Sequence, residues 1–192
     1  MHHPGIGWVG AGVAGFVTRI LLISGSTRGA STNSALIRTA AAVAPDGIEA
    51  VVSDALAALP HFNPDDDVDP LPRPVADLRA SIDNADAVLI CTPEYAGTLP
   101  GSMKNLLDWT VGGTVMTDKP VAFVNAAADG RRGGGAHATL TTVLGYVQAK
   151  TVEDACRHVP VARDAIGADG LIADAATRAA IADVLAALAR AT

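Results

Sequence analysis

The feature that most constrains the fold is the regular alternation of short apolar runs with longer segments of helical character. Two short apolar runs, residues 19–24 and 86–91, predict buried strands, and residues 48–52 and 119–124 predict two further strands. Helical patterns cover residues 31–44, 75–84, 102–111, 137–149 and 174–190, and a weaker fifth strand is expected within 151–161. Strands that alternate with helices form a parallel sheet covered by helices on both faces, so the sequence predicts an α/β fold.

The length of 192 residues suits one domain, and the alternating pattern begins only at residue 19. The apolar stretch before it, residues 5–17, is too short to span a bilayer. It also lacks the basic leading region of a signal peptide, because only His2 and His3 precede it. We therefore predict an N-terminal tail at residues 1–18 and a single domain at residues 19–192.

Charge and cysteine content limit the partners that the chain can have. The formal net charge is −6, which argues against nucleic acid or an anionic membrane surface as a partner. Cys91 and Cys156 lie far apart and form no C-x-x-C motif, a pattern typical of a reduced cytoplasmic protein. His61 and His158 have no neighbours at the spacing of metal ligands, so we predict no metal site.

Two glycine-containing stretches near the start are candidate phosphate loops. Gly10–Gly15 fits the dinucleotide pattern G-x-G-x-x-G, but that pattern works between a strand and a helix, and here a strand follows it. The stretch 24–33 has the required context, because the first strand ends at Ser24 and a helix begins near Ser31. We therefore favour the second stretch.

The chemistry of the second stretch suits a terminal phosphate. Gly25 and Gly29 permit a tight turn and a close approach of the backbone. The helix that follows places its positive end at the same point. Helix capping alone is the alternative explanation of the hydroxyl groups. Hydroxyl, amide and guanidinium donors are supplied by Ser26, Arg28, Ser31, Thr32 and Asn33.

A second shaped loop follows the third strand. Two prolines and two glycines fall within residues 92–101, which makes this loop rigid. A rigid loop can present backbone N–H groups to a flat heterocycle with little loss of conformational freedom on binding. Tyr95 lies within it and can pack near a ring.

Together these motifs resemble those of the NADPH-dependent FMN reductase family, a flavodoxin-like group that includes quinone, chromate and azo reductases. The resemblance implies a three-layer sandwich around a five-stranded parallel sheet of order 2-1-3-4-5. The residues that carry it are Gly25-Ser26-Thr27-Arg28 with Ser31 and Asn33, and then Pro93-Glu94-Tyr95, Gly97, Pro100-Gly101, Lys104-Asn105 and Asp108-Trp109.

The resemblance also implies non-covalently bound FMN. The first loop would bind its phosphate, the second would border its isoalloxazine ring, and residues 126–135 would close the pyrimidine side. The cofactor-binding residues expected in this way are Ser26, Arg28, Ser31, Thr32, Asn33, Pro93, Glu94, Tyr95, Ala96, Gly97, Asn125, Gly130 and Arg132.

The chain departs from the family pattern at two places. Ala96 stands where the family usually has Asn, which removes one side-chain contact near the flavin. After the fourth strand the chain has Asn125 followed by three alanines, where the family often has Ser or Thr. Contacts there would rely on backbone groups or on Asn125.

The implied activity is transfer of electrons from NADPH or NADH through FMN to a quinone-like or other small electrophilic acceptor. That chemistry takes place on the cofactor, so no catalytic side chain is expected. Arg131 and Arg132 are candidates to contact a phosphate of the nicotinamide cofactor. The family implies a homodimer or homotetramer. Two alternatives are a flavodoxin-type electron carrier and a flavin-free relative with the same fold.

Overall fold

The computed structural model describes residues 17–192, and its centre is a parallel β-sheet. Within these residues the strands are β1 Thr18–Ser24, β2 Ile48–Ser53, β3 Ala87–Cys91, β4 Pro120–Asn125, β5 Lys150–Thr151 and β6 Arg157–His158. They follow the order β2-β1-β3-β4-β5, and β6 is also paired with β4. The α/β class and the sheet order predicted from the sequence are therefore confirmed.

The predicted fifth strand is divided into two segments of two residues, β5 and β6. A helical turn between them, Glu153–Ala155, places the Ala155 side chain in the core. The chain remains bonded to β4 on both sides of the turn. The N–H of Val152 donates to the Val121 carbonyl at 2.8 Å, and the N–H of Val159 donates to the Asn125 carbonyl at 2.9 Å.

Helices cover both faces of the sheet, which gives the three-layer sandwich. The helices are α1 Thr32–Ala42, α2 Arg73–Asp83, α3 Gly101–Asp108, α4 Gly134–Tyr146 and α5 Ala175–Ala189. Alternate strand residues such as Leu22 and Leu89 pack against α1 and α5. Their neighbours Ile23 and Ile90 pack against α2, α3 and α4 on the other face. Burial on both faces explains the continuous apolar strands.

The first strand, β1, starts at Thr18, and the predicted division into a tail and a single domain stays a prediction. The first glycine stretch, Gly10–Gly15, lies outside the described residues, and the tail stays a prediction. Among the helices of residues 17–192, none combines the length and apolar character needed to cross a membrane.

The long segment between β2 and α2 is anchored on α3. Asn105 Oδ1 accepts the N–H of Phe62 at 2.7 Å, and Asn105 Nδ2 donates to the Pro60 carbonyl at 2.8 Å. Trp109 Nε1 donates to the same carbonyl at 2.9 Å. The Phe62 and Trp109 rings meet edge to face, with centroids 5.0 Å apart. Two residues of the second motif therefore hold this segment in place.

Candidate functional site

Three loops, which follow β1, β3 and β4, meet at the carboxyl edge of the sheet, as expected for a parallel sheet. They enclose a cleft of about 380 Å³ that we call the rim cleft. Its lining residues are Thr32, Asn33, Thr92, Pro93, Glu94, Asn125, Ala127, Arg132 and Gly133.

The loop between β1 and α1 presents free donors at one end of this cleft. The backbone N–H groups of Thr32 and Asn33, in the first turn of α1, have no hydrogen-bond partner among residues 17–192. The amino end of a helix carries partial positive charge, which attracts anions. Arg28 is exposed beside it, and its guanidinium donates to the Ala30 carbonyl at a long 3.4 Å. These groups match the charge and the acceptors of a phosphate monoester.

The two serines of this loop have different roles. Ser31 is the N-cap of α1: its Oγ accepts the N–H of Ser34 at 3.0 Å and donates to Ser34 Oγ at 2.8 Å. The capping role that the sequence left open is therefore present at Ser31. Ser26 Oγ accepts the N–H of Arg28 at 3.3 Å, and this bond leaves the Ser26 hydroxyl proton available to a ligand.

Gly25 allows the first loop to lie directly against the end of β3. Its N–H donates to the Cys91 carbonyl at 2.8 Å. A Cβ atom at this position would lie 2.9 Å from the Cα of Thr92 and would overlap the Thr92 side chain. Only glycine fits here, and this close approach places the first and second loops side by side.

The second loop contains a tight hairpin turn at residues 95–98. Tyr95 and Thr98 exchange backbone hydrogen bonds of 2.9 and 3.1 Å, and both central residues have positive φ, 51° at Ala96 and 76° at Gly97. Two positive φ values are typical of a type I′ turn, whose favoured sequence is Asn-Gly. The departure from the family pattern at Ala96 therefore places an unfavourable residue in a left-handed conformation.

Replacing Ala96 with Asn is expected to raise the free energy of unfolding by about 1 kcal/mol, because Asn tolerates left-handed φ better than Ala. Urea unfolding of the two proteins measures the difference. Ala58→Asn is the matched control, since Ala58 has a φ of −96° and gains nothing from Asn. Equal stability of Ala96→Asn and the parent would show that this turn is not strained.

Glu94 joins the second loop to the loop that follows β4. Its Oε2 accepts the N–H of Gly135 at 2.7 Å and the N–H of Ala136 at 3.3 Å. The N-cap position of α4 is Gly133, which has no side chain to cap the helix. The Glu94 carboxylate therefore caps α4 from a loop about forty residues earlier in the chain, while the residue still lines the rim cleft.

The loop after β4 is held by Asn125 from within. Its Nδ2 donates to the Arg132 carbonyl at 2.7 Å, and its Oδ1 accepts the N–H of Ala127 at 3.0 Å. Further along, Asp129 accepts hydrogen bonds from the backbone and the guanidinium of Arg131, which lower the pKa of the Asp129 carboxyl group. Arg132 is exposed at the cleft, and its guanidinium takes no part in the ion pair between Arg131 and Asp129.

The structure gathers only part of the predicted set into the rim cleft. The members there are Thr32, Asn33, Pro93, Glu94, Asn125 and Arg132. Ser26 and Arg28 line an adjoining cleft, whereas Gly130 is an exposed loop residue beside His158. Tyr95, Ala96 and Gly97 form the hairpin turn, and Ser31 caps α1. The cleft is also lined by Thr92 of the second loop and by two residues of the predicted 126–135 segment, Ala127 and Gly133, none of which the sequence singles out individually.

Two groups near the cleft are neutral. Burial raises the pKa of the Cys91 thiol, and its Sγ donates to Asn33 Oδ1 at 3.3 Å. Burial also lowers the pKa of His137, whose ring packs edge to face on Phe123. Neither group supplies charge to the cleft. In the described part of the chain, no group of three or more His, Cys, Asp or Glu side chains is placed to hold a metal ion.

The fold defines a flavodoxin-like protein whose first loop presents unpaired backbone donors at the cleft. The sequence profile of the family described as NADPH-dependent FMN reductase matches residues 18–164. The chain belongs to this family, and the predicted family assignment is confirmed.

Individual relatives agree with this assignment. An NAD(P)H-dependent FMN reductase of Pseudomonas aeruginosa is 32% identical over 173 residues, which cover 88% of this chain and 92% of that protein. A 2-hydroxy-1,4-benzoquinone reductase of a Burkholderia species is 29% identical over 163 residues, or 83% and 88% of the two chains. The solved structure of FerB, a flavoenzyme NAD(P)H:(acceptor) oxidoreductase from Paracoccus denitrificans, is similar with a TM-score of 0.72 and 27% identity. The match covers 91% of this chain and 96% of that one.

Proposed function

We propose that this protein is an NAD(P)H-dependent FMN oxidoreductase that passes electrons to quinone-like or other small electrophilic acceptors. The observation that carries the proposal is the rim cleft, where unpaired amides of α1 face two rigid loops at the edge of a flavodoxin-like sheet. The similarity to an FMN reductase and to a benzoquinone reductase supports the cofactor and the acceptor class.

The donor chemistry of the site fits FMN. We assign the phosphate to Arg28, Ser26 and the free amides of Thr32 and Asn33, which together supply one full positive charge and several N–H and O–H donors. Ser31 contributes indirectly, because it caps α1 and so fixes the position of these amides. The residues assigned to the border of the isoalloxazine ring are Pro93, Glu94, Tyr95, Ala96 and Gly97, with Asn125, Gly130 and Arg132 on the opposite side.

The chain positions the cofactor and shields it, and it needs no acid, base or nucleophile of its own. The chemistry that FMN supplies when bound is reversible transfer of electrons between a reduced nicotinamide and an acceptor. Glu94 joins the two walls of the cleft, and Asn125 stabilises the loop after β4 from within. Arg132, exposed at the mouth, is placed to attract the phosphates of NADPH or NADH.

The proposal is tested by absorption spectra of the purified protein with and without FMN, followed by addition of NADPH or NADH. We expect bound flavin and loss of its visible absorbance on reduction, then steady turnover when a quinone is added. Reduction without steady quinone turnover would instead favour the flavodoxin-type carrier. A protein that binds no added FMN would be a flavin-free relative, and the proposal would be wrong.

Arg28→Ala is expected to weaken FMN binding by about 10- to 100-fold, because a charge-assisted bond to the phosphate is lost. Titration of the flavin into the apoprotein measures the dissociation constant. Arg73→Ala is the matched control, since the Arg73 side chain is 90% exposed on α2, away from the cleft. An unchanged dissociation constant in Arg28→Ala would place the phosphate elsewhere.

We further propose a homodimer or homotetramer in the cytoplasm. Tyr146 at the end of α4 and Val111 after α3 expose 86% and 58% of their surface, which supports an interface on this side of the sheet. Cys91 and Cys156 are both unpaired, which supports a reducing compartment. Light scattering of the purified protein gives the number of subunits.

A further inference from the structure

A hairpin near the end of the chain packs against α1, the helix that follows the first loop. We call residues 165–173 the C-terminal hairpin. The N–H of Gly167 donates to the Leu171 carbonyl at 2.8 Å, which closes its turn. Ile172 is fully buried, and its N–H donates to Thr39 Oγ1 of α1 at 2.9 Å. This buried hydrogen bond fixes the hairpin on α1.

Arg38, the neighbour of Thr39 on α1, connects the C-terminal hairpin to the first loop. Its Nη1 donates to the Gly29 carbonyl at 3.3 Å, and its Nη2 donates to the Gly170 carbonyl at 3.2 Å. A planar guanidinium holds two acceptors in a fixed relative geometry, so it transmits the position of the hairpin to the loop.

The bond from Arg38 also orients a backbone donor of the first loop. The peptide bond between Gly29 and Ala30 is trans, and the C=O and N–H groups of a trans peptide point in opposite directions. A donor on the Gly29 carbonyl therefore turns the N–H of Ala30 the other way. That N–H has no hydrogen-bond partner among residues 17–192. Residues 27–30 are exposed, so few other contacts hold this peptide in place.

We propose that Arg38 is a positioning residue for the FMN phosphate. It holds the peptide after Gly29 so that the N–H of Ala30 joins the free amides of Thr32 and Asn33 as a phosphate donor. The C-terminal hairpin thereby becomes part of the cofactor site, although Gly170 lies beyond residues 18–164, which the family profile matches. The inference rests on the proposed function, since it concerns the phosphate of the same cofactor.

The first test is titration of FMN into the apoprotein, followed by the flavin fluorescence. We expect Arg38→Ala to raise the dissociation constant about tenfold, because the loop loses the donor that orients it. Arg38→Lys keeps the charge but cannot hold both carbonyls in a planar fork, so at least about threefold of this loss should remain. Full affinity in Arg38→Lys would show that charge alone acts and would overturn the inference.

The second test moves the guanidinium without removing it. A Cβ atom at Gly170 would lie 3.1 Å from Arg38 Nη2, so we expect Gly170→Ala to displace this group and to weaken FMN binding about threefold or more. Gly47→Ala is the matched control. Its φ of 83° is close to the 77° of Gly170, which gives similar backbone strain, but no atom lies within 4 Å of its Cβ position. Gly47 precedes β2 at the amino edge of the sheet, so its replacement should lower stability and leave FMN affinity unchanged.

A double-mutant cycle separates this connection from a general loss of stability. Arg38→Ala combined with Gly170→Ala should bind FMN no more weakly than Arg38→Ala alone, because both changes break the same connection. Two independent losses would overturn the inference, as would unchanged affinity in Arg38→Ala. A parent protein that binds no FMN would instead refute the proposed function. Normal FMN binding and quinone turnover by the parent, with full affinity in Arg38→Ala, would leave that function standing and remove only this role of Arg38.

Discussion

Glu94→Ala is expected to lower the free energy of unfolding by about 2–3 kcal/mol, because two hydrogen bonds to a charged acceptor are lost. In the native protein this carboxylate caps α4 and ties the loop after β3 to the loop after β4. Without it, the N–H groups of Gly135 and Ala136 lose their partner and the two walls of the rim cleft are no longer joined. We therefore also expect weaker FMN binding. Urea unfolding and flavin titration measure the two effects.

Glu94→Gln is the matched variant, since its amide oxygen can still accept one of these hydrogen bonds. Its loss of stability should be roughly half that of Glu94→Ala, because a neutral acceptor bonds less strongly to an N–H group and to the helix end. Unfolding of both variants at the same urea concentration as the parent would show that the contact between the loops contributes nothing. A loss of stability with unchanged FMN affinity would limit Glu94 to the fold.

Most of the sheet could be predicted from the sequence because each of its longer strands is visible as a pattern among consecutive residues. The runs that form β1, β3 and β4 consist mostly of buried apolar residues, as burial on both faces requires, whereas the edge strand β2 contains Glu49 and is only partly buried. The last strand is harder to predict because β5 and β6 have two residues each, and two residues are too few to show the hydrophobic pattern of a strand. Their place beside β4 depends on contacts with distant residues.

The features of the site that the sequence does not predict are contacts between loops. Glu94 was predicted to border the flavin ring, and no local pattern indicates that its carboxylate caps a helix that begins at Gly134. The family pattern indicates a missing side-chain contact at Ala96, whereas the structure shows that this position has a backbone requirement, a φ of 51°. The sequence identifies Asn105 and Trp109 only as members of the family motif. In the structure both side chains donate hydrogen bonds to the Pro60 carbonyl. Sequence motifs identify residues that matter, but three-dimensional contacts determine why they matter.

The same segment depends on an ion pair that is largely removed from water. Arg79 Nη2 lies 2.7 Å from Asp67 Oδ1, and each side chain is 12% exposed. Arg79 Nε also donates to the Trp109 carbonyl at 2.8 Å, so the pair connects α2, the end of α3 and the segment that precedes α2. Removal of one partner would leave an unpaired charge in a site with little access to water.

Asp67→Ala is accordingly expected to lower the free energy of unfolding by about 3 kcal/mol. The reference is Asp77→Ala, which breaks the exposed pair with Arg73 and should cost about 0.5 kcal/mol or less, because exposed pairs are well solvated. A double-mutant cycle of Asp67→Ala and Arg79→Ala, followed by urea unfolding, measures the coupling between the two side chains. The double variant should be less destabilised than the sum of the single variants, because it contains no unpaired charge. Additive losses would contradict the buried pair and leave Asn105 and Trp109 as the main anchors of this segment.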